Sequence, residues 1–151
     1  MQRKRNTLIE TTDKEAKKLI AVAMDKEPEL TRFGIGIWER RKTFLSGGIA
    51  AVTAKIVEGR TELLGAAEEV AAAADWIKLK PRTKRLNVHH SSYGYKHAVE
   101  SWFSQRGEPV SVANGSFIAA AIGLGVPYAI RNNSPNVEFG FSKRPLNWCP
   151  F

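Results

Sequence analysis

Between residues 91 and 142 the apolar positions fall into two helical stripes followed by two alternating runs. Tyr95, Ala98, Val99 and Trp102 recur at i, i+3, i+4 and i+7 with Phe103 alongside, which predicts a helix with an apolar, aromatic inner face. Ser91 or Ser92 is placed to cap its start, and Gly107 and Pro109 to end it. A second helix opens at Ser111 or Asn114 and runs to about Leu124, where Gly125 supplies the residue able to turn left-handed at a helix end. Val137, Phe139 and Phe141 alternate, so residues 126–131 and 136–142 read as strands joined by a turn at Asn132, Asn133, Ser134 and Pro135. Ahead of the first helix, Leu86 and Val88 share one face of a short strand.

The N-terminal half reads as helical. Thr12 and Glu15 form a capping box, followed by Ala16, Leu19, Ile20 and Ala23 at helical spacing, and Pro28 bounds the helix. Residues 29–45 carry Phe33, Ile35, Ile37 and Trp38 in a pattern read as a second helix, although Gly34 and Gly36 weaken it. Arg40, Arg41 and Lys42 then fall at its end, where they suit the negative pole of the helix dipole more simply than a phosphate. Ser46, Gly47 and Gly48 make a break. Leu63, Leu64, Ala67, Val70, Ala71, Ala74 and Ile77 give a stripe that predicts a helix ending near Leu79, with residues 49–58 either a separate helix or its first turns.

This pattern predicts an α+β, mainly helical chain: an N-terminal helical region over 1–79 and a basic region over 80–151, packed as one domain. From Leu63 onward the order is helix, short strand, helix, helix, strand, turn, strand. That is the order of a winged helix-turn-helix unit, in which a terminal helix–helix–β-hairpin follows the first strand. The segment in the place of the DNA-reading helix, VANGSFIAAAIGLG, has no Arg, Lys or Gln and offers only Asn114 and Ser116 as polar groups, so it is expected to be buried.

Charge adds a direction. The chain has 23 Lys and Arg against 15 Asp and Glu, a net charge of +8, which favours polyanionic partners. Between Asp75 and Glu100 there is no acidic residue, while Lys78, Lys80, Arg82, Lys84, Arg85 and Lys96 are all basic. Pro81 forces an extended path, and Lys78, Lys80, Arg82 and Lys84 would then share one side and track a phosphate backbone. A solvated linker explains the same cluster equally well. Arg106, Arg131, Lys143 and Arg144 complete the candidate contacts, whereas Arg3, Lys4 and Arg5 read as a solvated tail. The expected role is a small non-enzymatic nucleic-acid-binding accessory protein, with DNA favoured over RNA. The alternative is a protein-binding inhibitor of a host nucleic-acid-handling or defence complex, which would draw on Trp38, Trp102, Phe103 and Trp148 if these are exposed. The helical phase of Trp102 and Phe103 places those two in the core.

Catalytic and cofactor chemistry finds little footing. His89 and His90 would point to opposite faces of a strand, and neither they nor His97 have a carboxylate at zinc-site spacing, so no metal is expected. Tyr93 and Lys96 miss the helical pairing of a reductase by one residue, Gly123-x-Gly125 follows a helix and not a strand, and no cofactor is expected. No Ser lies in a nucleophile elbow. Cys149 is the single cysteine, so no intramolecular disulfide forms and a reducing compartment fits. MQRKRNTLIETT has charge without an apolar run, no segment is apolar enough to cross a bilayer, and the expected location is the cytoplasm.

The runs SSYGYKHAVE, VANGSFIAAAIGLG and SPNVEF together resemble uncharacterised small proteins of bacterial phages and integrating or conjugative elements, in which Ser-Tyr-Gly-x-Lys-His, Asn-Gly-x-Phe-Ile-Ala-Ala and Pro-Asn-x-x-Phe recur. The resemblance covers about the last third of the chain. It implies a mobile-element context and assigns no catalytic residue.

Overall fold

The computed structural model describes residues 8–143. Arg3, Lys4, Arg5, Arg144, Trp148 and Cys149 lie outside the described residues. The architecture is α+β and mainly helical, with five helices and two small antiparallel sheets among the described residues.

Helix α1 (Asp13–Lys26) begins on its capping box: Thr12 Oγ1 accepts from the Glu15 backbone N–H at 3.1 Å, and Glu15 Oε2 accepts from the Thr12 N–H at 3.4 Å. Its inner stripe of Ala16, Ile20 and Ala23 is fully buried. The helix expected over 29–45 does not form there. Gly34 and Gly36 take φ of +142° and +86°, and the chain instead makes a hairpin of β1 (Leu30–Thr31) and β2 (Gly34–Ile35). A side chain at Gly34 would come within 2.5 Å of the Pro135 carbonyl oxygen, so close approach as well as φ requires glycine.

Helix α2 (Arg40–Leu64) therefore starts where a helix was expected to end. Arg40, Arg41 and Lys42 sit at its positive pole, which reverses the dipole match predicted for them. Carboxylates offset this: Arg40 pairs with Glu29, and Lys42 lies 3.8 Å from Glu39. Gly48, at φ +68°, kinks α2 at the predicted break. The chain turns again at Gly65, so residues 49–58 belong to α2 and not to α3 (Ala67–Leu79).

Then follow β3 (Arg82–Asn87), α4 (Ser92–Gln105), α5 (Asn114–Gly123), β4 (Tyr128–Ile130) and β5 (Val137–Phe141). The three strands form an antiparallel sheet in the order β3-β5-β4, with Tyr128 opposite Phe139 and Ile130 opposite Val137. Strand β3 lies on the outside and its register against β5 shifts between Arg82 and Asn87. Gly125, at φ +80°, ends the α5 segment as expected.

The side-chain caps predicted for α4 and α5 are not made. Ser91 is the N-cap of α4 without a side-chain bond, and the buried Ser92 Oγ accepts from the Val137 N–H at 3.0 Å. The start of α5 is buried, and neighbouring carboxylates satisfy it: Glu69 Oε1 accepts from Ala113 N–H at 2.9 Å and Ser116 Oγ at 3.0 Å, and Glu100 Oε2 accepts from Val112 N–H at 3.0 Å.

Helix α5 is the centre of the molecule. Every residue from Asn114 to Ile122 is buried, and the helix packs against α1, α3, α4 and the β1–β2 hairpin. A Cβ on Gly115 would fall 1.8 Å from the Thr31 carbonyl oxygen, so the hairpin backbone lies directly on the helix. Beside α5, the rings of Trp76, Tyr95, Phe117, Phe139 and Phe141 interlock, with Tyr95 stacked on Phe117 at 5.7 Å and edge-on to Phe141 at 5.0 Å. Burying each such ring contributes roughly 2–3 kcal/mol. One core thus draws on both the N-terminal and the C-terminal region. No helix among the described residues is long and apolar enough to cross a membrane.

Candidate functional site

The basic segment is divided by the fold. Helix α3 runs to Leu79, so Lys78 follows helical and not strand geometry; its Nζ donates to Thr11 Oγ1 at 3.0 Å and lies 4.0 Å from Glu15. Lys80 is only 5% exposed and its ammonium lies 5.7 Å from the centre of the Trp76 ring, which removes it from any surface array. The predicted one-sided row of four is therefore not formed, because extension begins only after Pro81. Arg82 donates to the Leu124 carbonyl at 2.8 Å, while Lys84 and Arg85 are exposed on the outer strand. Ser142 N–H donates to the Pro81 carbonyl at 2.9 Å, which brings the exposed Lys143 to the same end of β3 as Arg82.

The other candidate cations are engaged elsewhere. Lys96 pairs with Glu100 at 3.3 Å, and Arg131 with Glu138 at 2.5 Å. Arg106 stacks 3.8 Å above the Trp102 ring and donates to the Trp102 carbonyl at 2.9 Å. Trp102 is half-buried against the core and Phe103 is fully buried, whereas Trp38 is 69% exposed.

Sequence reasoning missed a cleft built around Trp38. The hairpin, the turn at 132–136 and the first turns of α4 enclose about 470 Å³ lined by Phe33, Trp38, Tyr93, Lys96 and Pro135, with Asn114 and Asn136 completing the wall. Phe33 meets Trp38 edge-on at 5.9 Å, and Tyr93 meets His97 at 4.6 Å, with Lys96 Nζ 5.5 Å from the Tyr93 ring. Asn114 ties the walls together: its Nδ2 faces the carbonyls of Phe33 (3.2 Å) and Pro135 (3.3 Å) and Asn136 Oδ1 (3.0 Å). Its Oδ1 is buried without a partner. A second cavity of about 510 Å³ adjoins, sharing Phe33, Trp38 and Pro135 and bearing Arg40 and Arg131. The only sequence signal for this cleft was Trp38 beside two glycines, since its walls are about 40 to 100 residues apart in the chain.

A second surface is apolar. On α2, Leu45 and Ile49 are each 74% exposed, and Phe44, Val57 and Leu64 are more than half exposed. The helix buries only Thr43, Val52 and Leu63.

Two tyrosine hydroxyls are shifted from their ordinary value. Burial pushes the Tyr95 hydroxyl up to about 12, and that hydroxyl has no hydrogen-bond partner. Tyr128 is also pushed up to about 12, first by burial and then by its 2.7 Å bond to the Glu27 carboxylate and that charge. No group of three His, Cys, Asp or Glu side chains converges as a metal site among the described residues.

Comparison of the chain with protein-family models, with curated proteins and with solved structures returned no match.

Proposed function

We propose that this is a small, non-enzymatic nucleic-acid-binding accessory protein of a phage or mobile element, holding phosphates along the outer strand β3. The observation that carries this reading is the exposed basic edge: Arg82, Lys84, Arg85 and Lys143 are brought to one margin of the sheet, and none has a carboxylate partner among the described residues. The order α3-β3-α4-α5-β4-β5, with β3 paired to β5, resembles a winged helix-turn-helix unit. Its counterpart of the reading helix is α5, which is covered by α1 and the hairpin, so contact falls to the sheet edge and no helix enters a groove. Such contacts position a protein on phosphates and carry little sequence information. DNA is favoured over RNA as the partner. Replacing Lys84 and Arg85 by Ala lowers affinity for duplex DNA by about tenfold and reduces the salt slope by about two, with an unchanged Tm. Unchanged binding in that variant would overturn the assignment to β3.

A second reading, a protein-binding inhibitor of a host nucleic-acid-handling or defence complex, is favoured by the exposed apolar side chains of Phe44, Leu45, Ile49 and Val57 on α2 together with exposed Trp38. On that reading Leu45→Glu with Ile49→Glu abolishes capture of the host complex and leaves polyanion binding intact.

A further inference from the structure

We infer that the cleft beneath Trp38 is a site for a single unpaired nucleobase, with its phosphate directed toward Arg40 and Arg131 in the adjoining cavity. The inference rests on the nucleic-acid reading above and names the form of the polymer that is bound.

Three observations converge. Trp38, Tyr93 and Phe33 are all exposed, yet all line one cavity of about 470 Å³, within the usual range of roughly 300–1,000 Å³ for small-ligand sites. Stacking of a base on such rings is worth about 1–3 kcal/mol and requires only a flat π-face. The second observation is Asn114, 9% exposed, whose Nδ2 is fully engaged while Oδ1 has no donor. An orphaned buried acceptor costs about 1–3 kcal/mol. The Watson–Crick edge of every nucleobase carries an N–H able to supply the missing donor, whereas a Phe or Leu side chain from a protein partner has none. The third is the placement of charge: Lys96, paired with Glu100, borders the aromatic cavity, and Arg40 and Arg131, paired with Glu29 and Glu138, border the cavity that continues it, where Glu29 and Glu39 also lie, so a phosphate reaches either guanidinium by displacing its carboxylate.

Selectivity follows from the chemistry. In a duplex the base faces are stacked and the Watson–Crick N–H groups are paired, so neither ring stacking nor the Asn114 acceptor is available to it. The basic edge of β3 binds either form. The cleft therefore adds affinity only for single strands, or for a base flipped out of a duplex.

The test is fluorescence anisotropy of the whole protein with one labelled oligonucleotide, single-stranded and as its duplex, comparing the native chain with Trp38→Ala, Tyr93→Ala and the Lys84→Ala/Arg85→Ala pair. Both aromatic positions are exposed, so these variants keep their fold. The inference predicts that the single strand binds about tenfold more tightly than the duplex, and that each aromatic variant removes most of this difference while duplex affinity stays the same. If the aromatic variants change nothing while the basic pair weakens both forms, the cleft assignment is wrong and the sheet-edge reading stands. Absence of binding to either form at low salt overturns both.

Discussion

The Lys80 ammonium lies 5.7 Å from the centre of the Trp76 ring, in a side chain that is almost wholly buried. Its methylenes and charge act on the core side of the chain, so Lys80 is a stability residue and not a phosphate contact. Replacing it by Ala lowers stability by about 1–2 kcal/mol and leaves the affinity and salt slope for DNA unchanged. Calorimetry and a salt titration on the same variant check both halves of that statement.

Glu69 holds the buried start of α5 through Ala113 and Ser116 and pairs with Arg32 at 2.6 Å. Replacing it by Ala leaves two donors and a guanidinium without their acceptor, and hydrogen bonds to charged groups contribute about 1.5–3 kcal/mol. Urea unfolding of Glu69→Ala should show a loss of about 3 kcal/mol; Ser116→Ala, which removes one bond, should cost about 1 kcal/mol.

Gly115→Ala places a Cβ against the Thr31 carbonyl oxygen, 1.8 Å away, and the adjoining Arg32 backbone at 2.7 Å. Thr31 and Arg32 both meet it with backbone atoms, so the hairpin must lift from α5. The expected cost is about 3 kcal/mol, accompanied by faster hydrogen exchange at the Gly115 N–H, which donates to the Arg32 carbonyl at 2.9 Å.

Tyr95 gives the alkaline limb of stability. Its folded-state value is raised to about 12 from an ordinary 10.0, so the unfolded chain loses this proton first. Stability contributed by the neutral hydroxyl is fully present below pH 10 and falls as pH rises from 10 toward 12. Tyr95→Phe removes an unpaired buried hydroxyl, so its Tm at pH 7 equals or exceeds that of the native protein, and its decline above pH 10 is shallower.

Local signals carried much of the fold. Thr12 and Glu15 announce α1 because a capping box lies within four residues, and Val137, Phe139 and Phe141 announce β5 because one face of that strand is buried. The β1–β2 hairpin was hidden because strands of two residues have no period to read. Mistaking it for helix also inverted the place of Arg40, Arg41 and Lys42, which begin a helix instead of ending one. The caps from Glu69 and Glu100 were illegible for another reason: they come from 44 and 12 residues away, where spacing rules have no reach. Of the candidate site, Lys84, Arg85 and Lys143 were legible as cations and are exposed, but Lys80 and the cleft wall at Asn114 depend on burial that only the packed chain defines.

The most direct measurement is the affinity of the purified protein for duplex DNA across a salt series. Nucleic-acid binding along β3 predicts a log affinity that falls linearly with log salt, with a slope of about −3 to −4 for the four cations of that edge. No binding at low salt, or binding indifferent to salt, would contradict it.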